Sequence, residues 1–241
     1  MKNQKKINNR SFLFLTLFLF STSLISLRSL KHVNKEDIRI YGSNLFSRND
    51  LVNNSSVEFP IPLIFIRTKF LEKEFKQNLS LKNVSISRQI FPFGLKVEVN
   101  TRTPIAYGEK FFNAEKISGY IDKEGIFINE KHVDKQDLNK ITTQVVGWKD
   151  QFKETISEIL IAQDNYEFEI VKINFSQNGF LTLEEKDLKT IFLGFNSNLI
   201  NYQLQIINNL KKELKKNNFS EKIDNIDLTD PNKPKIKVFK P

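Results

Sequence analysis

VSISRQIFPFGLKVEVNTRTPIA, residues 84–106, consists of two short runs of alternating polar and apolar residues with a turn between them. Val84, Ile86 and Ile90 mark one face of the first run, and Leu95, Val97 and Val99 one face of the second. Phe91-Pro92-Phe93-Gly94 supplies the turn, so the stretch reads as a hairpin-like strand pair. Pro104 ends the second run and places a domain boundary between Arg102 and Tyr107.

Upstream, Phe65, Ile66, Phe70, Leu71, Phe75 and Leu79 recur at spacings of three and four, with Lys69, Glu72 and Lys76 between them. That spacing predicts a helix over 63–78, opened by Pro62 in its first turn. Farther back, Ile38 and Ile40 before Gly42 predict a short strand, and Ser47 is placed to cap a second helix. Strand, helix, helix, strand, strand within some 70 residues is a compact α+β unit with its helices over one face of a small sheet.

Before it lies FLFLTLFLFSTSLISL, residues 12–27, uncharged in a chain that is 27% charged. At ~1.5 Å per residue this covers ~24 Å of a hydrocarbon layer ~30 Å thick, so a full span must run on to Leu30, past a snorkelling Arg28. Lys2, Lys5, Lys6 and Arg10 precede it without an acid, whereas Glu36 and Asp37 join the bases beyond it. The positive-inside rule then leaves the N-terminus in the cytoplasm. The competing reading is a cleaved signal peptide with Ser21-Thr22-Ser23 at the cleavage site. The apolar run continues through Leu24, Ile25 and Leu27, which favours the uncleaved anchor. Both readings export the remainder.

Downstream, Ile117 to Ile121 and Phe127 flank a turn over Asp122 to Gly125, and Ile141 to Gly147 reads as another strand. Asp150 is placed to cap a helix carrying Phe152, Ile156, Ile159 and Leu160 on one face. Alternation on both sides of Asn178-Gly179 predicts a hairpin, and a strand follows over 190–195. Leu199, Tyr202, Ile206, Leu210 and Leu214 predict a helix whose Lys211, Lys212, Lys215 and Lys216 read as a solvated end suited to the helix dipole. Two closing strands, near 223–228 and 235–239, surround Pro231 and Pro234.

Composition narrows the function. The net charge is +9, but the basic tail supplies four of those charges, so a nucleic-acid partner is not indicated. The chain has no cysteine, which excludes disulfides, thiolate metal sites and a cysteine nucleophile, and fits an exported protein. Its 22 phenylalanines serve as core filling. His32 and His132 have no metal-ligand spacing, and the carboxylates Asp122, Glu124, Asp227 and Asp230 read as solvated turn residues. Ser-nucleophile and phosphate-loop motifs are missing. The expectation is therefore no catalysis, no cofactor and no small-molecule substrate.

The order Arg88-x-x-x-Pro92-x-x-Leu95-x-Val97-x-Val99-x-x-Arg102-x-Pro104-x-Ala106 resembles the end of a POTRA domain in the FtsQ/DivIB family of bacterial cell-division proteins. Ile38-x-Ile40-x-Gly42 is similar to that domain's first strand, and Asp122 and Gly125 to the family's next strand-turn-strand. Thr101 stands where an acid is usual and Thr229 where many relatives have arginine; the strand over 141–147 lacks the usual proline. The resemblance implies a cytoplasmic tail (1–11), a transmembrane helix (12–30), a POTRA-like βααββ domain (31–104) and a mainly antiparallel β domain with flanking helices (105–241).

It further implies a single-pass inner-membrane scaffold enriched at the division septum, with FtsB- and FtsL-like partners and a role in controlling septal peptidoglycan synthesis. In the family a partner segment joins the C-terminal part of the second domain. Here the candidate edge is Lys235, Ile236, Lys237, Val238 and Phe239, where an added strand would satisfy free backbone groups. The rivals are a POTRA-bearing factor for outer-membrane protein assembly or secretion, and a tethered wall hydrolase. The first needs a barrel or further repeats, and the second a nucleophile, a metal or paired acids.

Overall fold

A computed structural model describes residues 9–113, 115–134, 138, 140–166, 168–216 and 223–238. The chain divides into two compact units, Met1–Thr101 and Arg102–Pro241.

The first unit opens with α1 (Asn9–Leu30), of which Phe12–Leu30 is long and apolar enough to cross a membrane. One residue later β1 (His32–Val33) begins. Then come β2 (Ile38–Tyr41), α2 (Arg48–Asn53), β3 (Ile61–Pro62), α3 (Thr68–Asn78), β4 (Asn83–Gln89) and β5 (Gly94–Asn100). The central sheet has the order β2-β5-β4, with β2 parallel to β5 and β4 antiparallel to it. Gln89 faces Gly94 and Asn83 faces Asn100 across the hairpin. Ile86, Leu95, Val97 and Val99 turn inward onto Leu51, Leu71 and Phe75 of the two helices. This is the α+β arrangement that the alternating and helical spacings imply.

Ser47 caps α2 through a capping box: its hydroxyl accepts from the Asp50 N–H at 3.2 Å, and the Asp50 carboxylate accepts from the Ser47 N–H at 2.7 Å. Such a cap contributes about 1 kcal/mol. The helix predicted over 63–78 starts instead at Thr68, and Leu63–Phe65 forms a single 3-10 turn. Leu63 and Ile66 are both buried while Ile64 and Phe65 are exposed, a spacing that a helix would also give, so the interruption lies in the backbone rather than in the burial pattern. Ile66 is extended (φ −72°, ψ 112°), and its carbonyl accepts twice from the Arg88 guanidinium, at 3.1 and 2.7 Å.

The second unit carries β6 (Pro104–Phe112), β7 (Glu115–Asp122), β8 (Phe127–Asn129), β9 (Thr143–Val146), α4 (Lys153–Asn165), β10 (Ile170–Phe175), β11 (Leu181–Glu185), β12 (Lys189–Gly194), α5 (Ile200–Lys216), β13 (Ile223–Asp227) and β14 (Lys235–Val238). All nine strands form one sheet, ordered β14-β13-β12-β11-β10-β9-β6-β7-β8. Three neighbouring pairs are parallel, β6 with β9, β9 with β10 and β12 with β13; the others are antiparallel. Parallel neighbours need a long crossover, and α4 and α5 provide two of them. Ile156, Ile159, Leu204 and Ile207 of these helices share a core with Ile173, Leu183, Ile191 and Ile226 of the sheet.

Two local expectations change here. Asp150 does not cap α4. It begins a 3-10 turn, Asp150–Phe152, and pairs with Lys153 at 2.8 Å, because that extra turn sets it too far ahead of the helix. Lys211 is not solvated, as described below.

Candidate functional site

Within the first unit, Gly42 follows β2 at φ +91°, where a Cβ would strike the Val99 carbonyl oxygen, so the turn requires glycine. Arg88 ties β4 to the Ile66 carbonyl ahead of α3. Pro92 lies at the β4–β5 turn, and its carbonyl accepts from Arg39 at 3.3 Å. Glu72 of α3 accepts from the Ile86 N–H at 2.9 Å and from Lys69 at 2.7 Å. Burial pushes this carboxyl up, but the bonds from Lys69 and Ile86 outweigh it, and the net displacement is below the ordinary value.

In the second unit the residues from Arg102 to Gly125 converge. Pro104 faces Asp122 across the β6–β7 ladder, and Ala106, fully buried, faces Ile121. Arg102 and Asp122 are both buried and form an ion pair, and Glu124 joins the same guanidinium at 2.7 Å. The second Asp122 oxygen accepts from the N–H groups of Glu124 (3.0 Å) and Ile126 (2.8 Å), fixing the turn. Asp122 is therefore not the solvated carboxylate that its place in a turn implies. Gly125, at φ +73°, lies against the Lys153 carbonyl, and its own carbonyl accepts from the Trp148 indole at 2.9 Å. Burial opposes the charge on Arg102, but Glu124 and Asp122 outweigh it and hold the guanidinium's pKa above its usual value. An acid is absent at Thr101, and Arg102 takes its partners from the far side of a hairpin.

The candidate edge strand β14 is the last in the sheet order and pairs only with β13 among the described residues. Asp227 faces Lys235, Ile226 faces Ile236, Asn225 faces Lys237 and Ile223 faces Val238. All four β14 residues are exposed, Ile236 by 42% and Val238 by 49%, although their partners Ile226 and Ile223 are buried. The apolar face of the sheet thus runs one strand beyond its cover. Lys237 pairs with Asp224 at 3.0 Å. Thr229 donates its hydroxyl (2.7 Å) and its N–H (3.0 Å) to Asp227, which lowers that carboxyl's pKa. Phe239 lies outside the described residues.

The family model for the POTRA domain, FtsQ-type, matches residues 33–102. The first unit carries an FtsQ-type POTRA domain. No curated protein matches the chain. The POTRA domain contains Gly42, Arg88 and Pro92 and reaches Arg102; Pro104, Ala106, Asp122 and Gly125 follow it in the nine-stranded sheet. POTRA domains of this kind act through contacts with other proteins, and the match is consistent with the FtsQ/DivIB family.

One cluster beyond the POTRA domain has no counterpart in the sequence reading. Lys211 of α5 is buried, ion-paired with buried Glu185 and, at 2.7 Å, with Asp187. Glu185 also accepts from the N–H groups of Glu169 (3.0 Å), Asp187 (2.7 Å) and Leu188 (2.8 Å). Burial opposes the ammonium charge, and Asp187 with Glu185 raises its pKa nonetheless. Residues 185 and 211 meet only through tertiary packing; the one available signal is an acid at the last inward position of an alternating strand whose other inward residues, Leu181 and Leu183, are apolar. Among the described residues no group of three or more His, Asp or Glu side chains is arranged to hold a metal.

Proposed function

We propose that this protein is a non-enzymatic, single-pass membrane scaffold of the bacterial division machinery. α1 crosses the inner membrane with the N-terminus in the cytoplasm, and residues from about 31 onward lie outside it. The POTRA domain and the sheet that follows it dock other division membrane proteins and help control septal peptidoglycan synthesis. The observation that carries this reading is the FtsQ-type POTRA domain at residues 33–102, set between an apolar helix and a sheet with an uncovered edge.

β14 is the docking edge in this proposal. A partner segment of FtsB-like kind adds an antiparallel or parallel strand along Lys235–Val238 and covers Ile236 and Val238, leaving Lys235 and Lys237 to meet acidic side chains. The test is a fluorescent fusion imaged in dividing cells, intact and without residues 235–241. The intact fusion should concentrate at midcell, and the truncated chain should fail to bring its partners there. A uniform envelope signal from the intact fusion overturns the proposal, as does release of fragments when the exported portion is incubated with peptidoglycan.

A further inference from the structure

Where α1 ends, the POTRA domain presents apolar side chains to solvent. Lys31 alone separates α1 from β1, and the Lys31 carbonyl accepts from the Leu63 N–H at 3.1 Å, so the domain is held against the helix end. Two turns flank that end. The Leu63–Phe65 turn exposes Ile64 by 48% and Phe65 by 66%, and the β4–β5 turn exposes Phe91 by 63%. Arg28, in the last turn of α1, donates to the Ile90 carbonyl at 2.9 Å and stacks over the Phe91 ring at 4.1 Å; Lys31 lies over Phe93 at 4.8 Å.

This grouping resolves a difficulty in the helix itself. The uncharged run to Leu27 covers only ~24 Å, short of a ~30 Å hydrocarbon layer, and Arg28 falls within the missing turn. In the structure Arg28 is met by a carbonyl and an aromatic face, the two kinds of group that make a guanidinium tolerable at a membrane boundary. Exposed Phe and Ile side chains beside Arg28 and Lys31 at one level of a membrane helix form an amphipathic surface, apolar on one side and basic on the other, of the kind that lies in a bilayer interface. The Leu63–Phe65 turn lies beside the end of α1, and Phe91 lies under the Arg28 guanidinium of its last turn.

We infer that the Leu63–Phe65 and Ile90–Phe93 turns rest in the outer interface of the bilayer that α1 crosses, with Ile64, Phe65 and Phe91 at the acyl boundary and Lys31 at the level of the lipid phosphates. The occupant of this surface is lipid. The POTRA domain is then seated on the membrane, fixed in tilt by three contacts, and its β2-β5-β4 sheet is held at a set height. This inference rests on the reading of α1 as a membrane span.

The cysteine-free chain permits a direct test. Single variants Leu17→Cys, Phe65→Cys, Phe91→Cys and Lys82→Cys of the full chain are spin-labelled and reconstituted in phosphatidylcholine vesicles containing phosphatidylglycerol. Accessibility to oxygen and to a water-soluble nickel chelate then reports depth. Lys82 precedes β4 at the end opposite the turn, about 20 Å away along the strand. Labels at 65 and 91 should be shielded from the chelate severalfold relative to 82, with oxygen accessibility between those of 17 and 82. Labels at 65 and 91 as open to the chelate as 82, with 17 in lipid, overturn the seating alone. A label at 17 as open as 82 removes the membrane span and the inference together.

Discussion

Arg102 and Asp122 show how much depends on single side chains in this molecule. Each is buried with its charge, and the pair is tolerable because both partners are present and the remaining carboxylate oxygen is saturated by backbone N–H groups. Arg102→Ala should cost about 3–5 kcal/mol by stranding the Asp122 carboxylate, read as a lowered urea midpoint with an unchanged slope. The double variant with Asp122→Ala should be less damaged than the sum of the two single variants. Lys211→Ala should destabilise comparably, because it leaves Glu185 buried without its cation, whereas Lys212→Ala and Lys216→Ala should stay within about 0.5 kcal/mol. At this scale the sequence was only partly readable. Gly42 and Gly125 could be recognised as turn residues from their neighbours, but nothing local distinguishes Lys211 from the lysines around it, or pairs Arg102 with an acid twenty residues on. Burial and partner choice for a charged side chain are set by tertiary packing.

Apart from β6 (Pro104–Phe112), which is read only as a boundary at its proline, the main strands were legible, because alternation reports directly on a half-buried ladder and Asn178-Gly179 closes a hairpin where it falls between two such runs. The start of α3 was not. An apolar stripe at spacings of three and four fits a 3-10 turn followed by an extended residue as well as it fits a longer helix, and in the structure Ile66 is extended with its carbonyl bonded to the Arg88 guanidinium rather than within a helix. The same α3–β4 contact has a pH signature through Glu72. Its folded pKa lies below the ordinary value of 4.5, so the stabilisation is complete above that value and is lost as pH falls through the lower, folded one. Glu72→Gln retains an acceptor for the Ile86 N–H but cannot titrate. Acid unfolding of the variant, followed by circular dichroism, should therefore be less steep below pH 4.5 than that of the parent, with a lower plateau of stability at neutral pH.

For the molecule as a whole, the class of fold followed from its patterns, but the order of the nine-stranded sheet did not. Spacing gives no hint that β9 lies between β6 and β10, or that α4 and α5 are the crossovers that make parallel neighbours of strands far apart in the chain. The orientation proposed for the chain makes a plain forecast: protease added to intact spheroplasts should degrade the portion from the POTRA domain onward and spare an epitope placed at the N-terminus. The reverse pattern would remove the basis for a scaffold acting outside the cytoplasm. One property of β14 offers a way to watch that scaffold at work. A strand with a neighbour on one side only leaves every second amide trading its proton with water, and a segment laid alongside would slow that exchange. Deuterium uptake confined to alternate positions of the last strand, and its disappearance on mixing with a candidate ligand, would register association without labels, mutations or an activity to measure.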